Sequence, residues 1–445
     1  MKPAGYGESQ PRLDDDRRPI VLLVLDGLGD RPVPELGDRT PAEAADTPHL
    51  DALAARGANG WHVPFGWGPA PSSEVSHWSM FGFHDVAFPG RAVLEGLGAG
   101  LDVPEGRAVL HAALRTSRLE SGRLWITGRA SAADSDDARL LFSELHSVLA
   151  DDGFTLAPLG GGESLLVAEH HEYADVTDTD PFFETFHPLL RPRPTTENGT
   201  ALATDLERAL RGARAHLLQS TVNARRVDAG LPALDTLSTK WAGVRRPIPS
   251  FLEQTGIAGA AVTSTRFYRG LAKLLDMQQT HLRPESDLAH DIAARVAAAG
   301  ELIEAGAQFV HVHTKATDEA GHTKDPYAKR DVLQQIDQGL AGLDALSERA
   351  VIAVTGDHAT PSVHGVLHTG DPTPLTIVGP GARRDEVTAF GEWTARHGWF
   401  GKVSAAELLP LLLSCANRPV FLGHRITPRW VPALADEPEH FRVTE

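Results

Sequence analysis

The chain has 445 residues, of which 42% are hydrophobic and 23% charged, so it is long enough for about two or three domains with a large core. Its formal net charge of −17 argues against a general nucleic-acid-binding protein, because there is no surplus of Lys and Arg to neutralise phosphates. The single cysteine, Cys415, excludes an internal disulfide, and no apolar run is long enough to span a membrane. We expect a cytoplasmic protein that binds neither nucleic acid nor membrane; the sequence specifies no oligomeric state.

The first elements of the chain are a polar tail, a strand and a helix. Residues 1–18 lack the apolar core of a signal peptide, which predicts a disordered tail. The apolar run at 19–25 predicts a strand buried on both faces, and it ends at Asp26. Thr47 before a proline predicts the N-cap of a helix, and Gly57 predicts its end.

Later segments predict an α/β fold. Residues 309–312, 350–355 and 375–378 predict strands, with apolar residues at helical spacing over 332–343 between the first two. Ser404 and Glu407 predict a capping box for the next helix. Strands that alternate with helices indicate a mostly parallel sheet sandwiched by helices.

The middle of the chain, from 107 to 255, has mixed signals with several turn clusters. This pattern predicts a smaller α+β domain inserted between the two parts of a discontinuous core, 19–106 and 256–425. Residues 426–445 are interpreted as a C-terminal tail.

Charged residues and histidines follow three of the predicted strands. They are Asp26 after the first, Lys315, Asp318 and His322 after the second, and Asp357 and His358 after the third, with His368 in the loop beyond. Each cluster alone also fits a turn, a surface pair or a chance dipeptide. Because the carboxyl ends of parallel strands meet at one sheet edge, the coincidence favours a site for a borderline divalent metal such as Mn²⁺ or Zn²⁺.

A serine-rich segment, PSSEVSH at 71–77, contains Ser73. Taken alone, it is typical of an ordinary loop. Near two divalent ions, however, a serine hydroxyl can be activated as a nucleophile, while the second ion neutralises charge on a phosphoryl group.

Taken together and in order, these segments resemble one family. The series is VLDGLGDRP, TPHLDALAARG, SSEVSH, GRAVLEGLGAG, DTDP, KATDEAGH, TGDHATP and HTGDPTPL. It resembles the cofactor-independent phosphoglycerate mutases of the alkaline phosphatase superfamily, closest to the archaeal type, and spans Ile20 to about Arg418. The resemblance implies an alkaline-phosphatase-like core with a capping domain that closes over the site and excludes water.

The resemblance also implies two divalent ions, with Mn²⁺ or Zn²⁺ first and Co²⁺ or Mg²⁺ as alternatives. One ion is held by Asp26, Ser73, Asp357 and His358, and the other by Asp318, His322 and His368. Ser73 matches the nucleophile that forms a phosphoserine and returns the phosphoryl group to another hydroxyl of the same substrate. Lys315 matches a lysine beside the site, where it binds a phosphoryl oxygen or stabilises developing charge.

Departures from the family pattern concern the substrate. A Phe-Arg-Cys-Asn-Phe-like segment is replaced by LHAAL at 110–114, and of an Asp-Arg-Arg-Ala-Gly-Arg segment only Arg129 remains. A Leu-Arg-Gly-Ala-Gly segment reads TKWAG at 239–243. Arginine holds carboxylates and phosphates through two parallel hydrogen bonds, which lysine does not reproduce. The candidate substrate-binding residues are Arg129, Lys240, Arg269 and His77.

Two interpretations of these departures are open. Trp125 and Trp241 stack on a ring or line a larger apolar pocket, or other arginines, such as Arg115, Arg266 or Arg269, compensate. Three functions are therefore open. They are a phosphoglycerate mutase or a close homologue, a divergent phosphotransferase or phosphohydrolase acting on another phosphate or phosphonate, and a catalytically silent binding protein. The complete ligand set and Ser73 disfavour the third.

Overall fold

The computed structural model describes residues 17–181, 186–421, 431–432 and 443. The predicted tails, 1–18 and 426–445, therefore lie outside the described residues except at 17–18, 431–432 and 443.

The strands and helices alternate along much of the chain. The strands are β1 (Ile20–Leu25), β2 (Ala58–His62), β3 (Ala108–Glu120), β4 (Arg123–Arg129), β5 (Phe154–Gly160), β6 (Glu163–Ala168), β7 (His187–Pro188), β8 (Thr236–Val244), β9 (Gly259–Thr263), β10 (Gln278–His281), β11 (Phe309–Thr314), β12 (Val351–Thr355), β13 (Thr373–Val378), β14 (Gly401–Val403), β15 (Val420–Phe421) and β16 (Val431–Pro432). The α-helices are α1 (Pro41–Ala44), α2 (Pro48–Arg56), α3 (Ser73–Met80), α4 (Arg91–Gly98), α5 (Ser135–Ala150), α6 (Thr200–Leu217), α7 (Thr221–Asp228), α8 (Phe251–Thr255), α9 (Arg266–Leu274), α10 (Leu288–Glu304), α11 (Ala316–His322), α12 (Pro326–Gln338), α13 (Gly342–Ser347), α14 (Glu392–Ala395) and α15 (Ala405–Cys415). Short 3-10 helices occupy Pro34–Leu36, Ala132–Asp134, Glu197–Gly199 and Gly339–Ala341.

The chain forms two compact units. The first unit comprises the described residues within Met1–Phe88, Pro249–Thr265 and Leu275–Glu445, and the second comprises the described residues within Pro89–Ile248 and Arg266–Leu274. Relative to the expected boundaries at 107 and 255, α4 and α9 fall in the second unit. These two helices pack very closely, because a Cβ on Gly98 would lie 1.9 Å from the carbonyl oxygen of Arg266 and one on Gly270 would lie 1.8 Å from that of Leu94.

The first unit is built on a mostly parallel sheet flanked by helices, as predicted. Its strand order is β10-β9-β11-β1-β12-β13-β2-β14. Strand β1 lies between β11 and β12 and is parallel to both, whereas β13 is antiparallel to its two neighbours. Strands β1 and β12 are fully buried, and the side chains on one face of each form one core with α2, α10, α12 and α13. None of the described helices has both the length and the apolar character needed to cross a bilayer.

The two predicted helix starts have different outcomes. The capping box is confirmed in part, since the Glu407 carboxylate accepts a hydrogen bond from Ser404 N at 2.8 Å. Thr47 is the N-cap residue of α2, with Pro48 at the first helical position and Gly57 at the end, as predicted, but the Thr47 side chain makes no capping hydrogen bond to the described first turn. Asp337 of α12 takes that role, accepting from Leu50 N at 2.8 Å and His49 N at 3.1 Å. A neighbouring helix thus supplies the cap that the local sequence does not.

Glu392 is a buried carboxyl in the first unit whose ionisation opposes folding. It accepts hydrogen bonds from Thr40 Oγ1 at 2.7 Å and from Asp30 N at 3.2 Å. Burial, with help from the nearby Glu43, raises the pKa of Glu392 from 4.5 to about 7. A carboxyl with a raised pKa in the folded state costs stability that grows as the pH increases from below the unfolded value to above the folded one.

We expect Glu392→Gln to be more stable than the parent at pH 8, by up to about 3 kcal/mol, with the advantage shrinking toward pH 4.5. The amide resembles the protonated acid and does not ionise. Urea unfolding between pH 5 and 8 measures the difference, with the exposed Glu348→Gln as the control. Parallel stability curves for the parent and Glu392→Gln would contradict the assignment.

The second unit contains an antiparallel sheet of strand order β5-β6-β3-β4-β7, with β8 also paired to β3. Helices α5 and α6 cover its core, which is formed mainly by leucine and alanine side chains.

Candidate metal centre

Three neighbouring strand ends bring the predicted acidic residues and histidines together. Asp26 follows β1, Asp357 and His358 follow β12, and Asp318 lies in α11, just after β11. His368 reaches the same edge from the opposite direction, because it precedes the antiparallel strand β13. Residues about 290 to 330 positions apart meet at one edge because they follow the carboxyl ends of the neighbouring parallel strands β11, β1 and β12.

A first ligand group surrounds Ser73. One ligand atom from each of Asp26, Asp318 and His358 lies within 4.8 Å of the others, and all three residues are buried. Ser73 Oγ lies 3.0 Å from His358 Nε2 and 3.5 Å from Asp26 Oδ1. Asp357 Oδ2 is 3.5 Å from the same imidazole nitrogen. The hydroxyl at the first position of α3 thus faces a cluster of carboxylate and imidazole ligands.

A second ligand group lies beside the first. His322 Nε2 and His368 Nε2 are 3.2 Å and 3.5 Å from Asp318 Oδ1. Asp318 and His322 are one turn apart on α11. The rings of His358 and His368 stack with centroids 4.0 Å apart, which brings the two groups into contact.

The electrostatics of the cluster favour a cation. Burial raises the pKa of Asp26, but Lys315 and hydrogen bonds from histidines outweigh it, so the pKa lies well below its usual range. Burial lowers the pKa of His358, yet the surrounding carboxylates, foremost Asp357, raise it to about 9. A carboxylate with such a low pKa, placed among imidazoles, belongs to a suitable donor set for a borderline divalent metal ion.

Lys315 connects the two ligand groups. Its Nζ donates to Asp318 Oδ2 at 2.7 Å and to Asp26 Oδ2 at 3.2 Å. Burial lowers the pKa of Lys315, but these two carboxylates outweigh burial and raise it above its ordinary value. The Lys315 side chain is 39% exposed, so it is partly accessible from solvent.

Several residues that the sequence analysis missed hold these ligands in place. His313 Nε2 lies 3.1 Å from Asp26 Oδ2, and Thr360 Oγ1 donates to Asp318 Oδ1 at 2.7 Å. Gly27 N donates to Asp357 Oδ1 at 3.0 Å. A signal for His313 was present, because two histidines alternate within the otherwise apolar strand FVHVHT.

His77, a candidate for substrate binding, is placed elsewhere. Its side chain is fully buried, with Nδ1 2.8 Å from the carbonyl oxygen of Ser73 and 3.6 Å from Asp357 Oδ2. A side chain without exposed atoms has nothing for a substrate to touch. The spacing of four residues, which brought it close to Ser73 on α3, gives it a supporting role instead.

The other candidate substrate residues lie in the second unit, where Lys240 and Arg129 belong to a cluster of cations. Burial, and then the charge of Arg115, lower the pKa of Lys240 to about 8, and Arg129 and Arg91 act in the same direction. Arg115 Nε donates to Asp180 Oδ2 at 2.8 Å, and both side chains are buried.

Arg269 and Arg266, both on α9, differ from that cluster. Arg269 is half-buried and makes no hydrogen bond or ion pair with a described residue. Arg266 is paired with Glu163 and lies 3.4 Å from Glu95 Oε2. The guanidinium group of Arg266 is therefore paired with carboxylates of its own unit, which disfavours a role in binding substrate.

The fold and the ligand groups at its strand ends define a class of metalloenzymes, and comparisons with known proteins identify it. The model of the metalloenzyme superfamily matches residues 18–415. The 2,3-bisphosphoglycerate-independent phosphoglycerate mutase of Pyrococcus furiosus is 33% identical over 92% of this chain and 99% of its own length, and that of Methanopyrus kandleri is 31% identical over 90% and 97%.

Solved structures agree with this assignment. The PH0037 protein of Pyrococcus horikoshii has a TM-score of 0.75 at 30% identity, covering 92% of this chain and 99% of that one. The cofactor-independent phosphoglycerate mutase of Thermoplasma acidophilum has a TM-score of 0.60 at 30% identity, covering 90% and 100%. The chain belongs to the metalloenzyme superfamily and, within it, to the cofactor-independent phosphoglycerate mutase family.

Proposed function

We propose that this protein is an isomerase of glycolysis that interconverts 2-phosphoglycerate and 3-phosphoglycerate through a phosphoserine at Ser73. The observation that carries the proposal is the position of Ser73 Oγ, 3.0 Å from His358 Nε2 and 3.5 Å from Asp26 Oδ1. A hydroxyl in an ordinary loop would not face a buried carboxylate and imidazole set. The named relatives, phosphoglycerate mutases at about one-third identity, support the choice of substrate.

We assign the metal ligands in two sets. Asp26, Ser73, Asp357 and His358 would hold one divalent ion, and Asp318, His322 and His368 would hold the other. Mn²⁺ or Zn²⁺ suits this mixture of carboxylates and imidazoles best, with Co²⁺ and Mg²⁺ as alternatives. When bound, such ions lower the pKa of a coordinated hydroxyl and neutralise charge on phosphoryl oxygens.

The chemistry assigned to Ser73 takes place in two balanced steps. Ser73 Oγ loses its proton and forms a bond to phosphorus while the bond between phosphorus and the first substrate oxygen breaks, and that oxygen takes up one proton, so none is gained or lost overall. The second hydroxyl of the same glycerate then loses its proton and attacks the phosphoserine, which frees Ser73. The phosphoryl group moves between two oxygens of one molecule, and nothing is oxidised or reduced.

Lys315 is assigned to the phosphoryl oxygens. In the structure its ammonium group donates to Asp26 and Asp318, and it is partly exposed. A phosphoryl oxygen arriving next to these carboxylates would find a cation already in place, which requires little reorganisation.

The cations of the second unit are assigned to recognition of substrate anions. Lys240 and Arg129 remain from the original candidates, and Arg115 and Arg91 join them through their charges on Lys240. Arg115 is buried and paired with Asp180, so it contributes its charge to the cluster and does not itself contact the substrate. Arg269 stays a candidate because its guanidinium group makes no hydrogen bond or ion pair with a described residue.

The deciding experiment is an assay of the purified protein for interconversion of 3- and 2-phosphoglycerate, with Mn²⁺, Zn²⁺, Co²⁺ or Mg²⁺ added in turn. Release of inorganic phosphate from an aryl phosphate is measured in parallel. We expect mutase turnover that chelation with EDTA abolishes and one of the metals restores. Phosphate release without any mutase turnover would move the search to another phosphate or phosphonate substrate.

A further inference from the structure

Trp241 has a backbone conformation that large side chains rarely adopt. Its φ is +59°, in the left-handed region, and it is the only aromatic residue with a positive φ among the described residues. For a bulky residue this conformation is an outlier that costs on the order of 1–3 kcal/mol, a range established for strained backbone in general. Such strain persists only where the surroundings impose it.

The strain has a specific origin in the β3–β8 pairing. Val109 pairs with Gly243 and His111 pairs with Lys240, so Trp241 and Ala242 together face the single residue between them on β3. This is a β-bulge whose first residue is left-handed, a position that glycine normally occupies.

Two contacts hold the bulge in position. Asp178 Oδ1 accepts a hydrogen bond from Trp241 N at 2.8 Å. After the bulge, a Cβ on Gly243 would lie 2.1 Å from the carbonyl oxygen of Pro89, so the start of α4 is pressed against β8. That close approach brings Arg91, the first residue of α4, to the indole.

The indole is in contact with two cations. Lys240 Nζ lies 3.8 Å from the ring centroid, and Arg91 Cζ lies 3.9 Å from it. Arg91 Nε also pairs with Glu95 Oε1 at 3.2 Å, so of the two cations Lys240 depends more on the ring. Both are within the range in which a cation is attracted to the ring quadrupole. The ring also packs against His111, with centroids 5.0 Å apart. A glycine at this position would leave both cations without that surface.

We propose that Trp241 is a positioning residue that holds Lys240 and Arg91 on one aromatic ring and thereby determines how tightly the protein binds its anionic substrate. The inference rests on the proposed function for the identity of that substrate, 3-phosphoglycerate. Lysine and arginine side chains lose considerable rotamer freedom when they are ordered, and a ring that orders them beforehand leaves less to lose on binding. The lowered pKa of Lys240, to about 8, agrees with a half-buried ammonium group held among other cations.

A role of Trp241 in packing alone predicts a different result for Trp241→Gly than a role in positioning cations. If Trp241 only filled space, then Trp241→Gly would lose contacts and anion binding would be unaffected. If it positions cations against a strained backbone, then Trp241→Gly relieves the strain and weakens substrate binding. Ser121→Gly is a matched control, since Ser121 also has a positive φ, +50°, but lies exposed in the turn between β3 and β4.

The test compares the metal-loaded parent with Trp241→Gly, Trp241→Phe and Ser121→Gly. We expect Trp241→Gly to raise KM for 3-phosphoglycerate about tenfold, the effect of losing cation–π contacts of moderate strength, with kcat changed much less and Tm unchanged or higher. Trp241→Phe keeps an aromatic face and should fall between the parent and Trp241→Gly. Ser121→Gly should leave KM unchanged.

Two results would overturn the proposal about Trp241: a KM for Trp241→Gly within twofold of the Ser121→Gly value, or equal impairment by Trp241→Phe and Trp241→Gly. Absence of mutase turnover in the parent and in Ser121→Gly would instead refute the proposed function. In that case the role of Trp241 is tested by the rise in Tm that inorganic phosphate causes in the parent and in each variant. A smaller rise in Trp241→Gly alone supports the role of Trp241 for another phosphate ester, and equal rises in all variants refute it.

Discussion

Ser73→Ala is expected to abolish phosphoryl transfer while leaving most of the metal affinity intact. The substitution removes the attacking oxygen, and loss of a nucleophile commonly costs at least about ten-thousand-fold in kcat. The carboxylate and imidazole ligands at the three strand ends are unchanged, so both ions should still bind. Mutase assays and metal titrations of the same preparation measure the two effects separately.

Ser72→Ala is the matched control for this prediction. Ser72 is exposed, directly precedes α3 and makes no capping hydrogen bond to the described first turn of that helix, so its loss should change turnover little. Mass spectrometry of the parent during turnover should detect phosphate on Ser73 and not on Ser72. Unaffected turnover in Ser73→Ala would refute the role of Ser73 as nucleophile.

Lys329→Met is expected to produce the largest loss of stability, about 3–5 kcal/mol, the range found when one partner of a buried ion pair is removed. Lys329 of α12 is fully buried, and its Nζ lies 3.0 Å from Asp30 Oδ2. It also donates to the carbonyl oxygens of Gly27, Gly29 and Thr360 at 2.9, 3.0 and 2.9 Å. Methionine has similar length but removes the three hydrogen bonds to these carbonyls and the positive charge beside the buried Asp30 carboxylate, which keeps only its hydrogen bonds from neutral groups such as Ser362.

The same substitution should weaken metal binding, since Gly27 and Thr360 belong to the loops that carry Asp26 and His358. Urea unfolding of the metal-free protein and metal titration measure the two losses. Lys324→Met is the control: Lys324 is only half-buried and donates to one carbonyl oxygen, that of Pro361, at 2.9 Å. Equal losses in the two variants would contradict a special role for Lys329.

A double variant separates the buried charge from packing. Asp30→Asn combined with Lys329→Met removes both partners of the pair, and a part of the stability should return because no unpaired charge is left inside. If the double variant is as unstable as the sum of the two single variants, the ion pair is not the main contribution of Lys329.

The sequence by itself predicted the strands of the first unit and the chemistry at their ends. Runs such as IVLLVL are apolar along their whole length, which only a strand covered on both faces can accommodate. Charged and histidine side chains appear where these runs stop, because the chain leaves the covered sheet at that point. The order of these segments also revealed the family.

Only the tertiary structure decided the features that depend on residues far apart in the chain. The Asp337 carboxylate, rather than the Thr47 side chain, accepts hydrogen bonds from the start of α2, because the free N–H groups of a helix donate to any carboxylate that the fold brings near. His77 is near Ser73 in sequence but points into the interior, and Lys329 bonds to loops about 30 and 300 residues away. The left-handed Trp241 arises from a register shift between two strands, which no local pattern encodes. Local preference and hydrophobic periodicity act over a few residues, whereas caps, buried ion pairs and bulges are set by which surfaces meet when the chain packs.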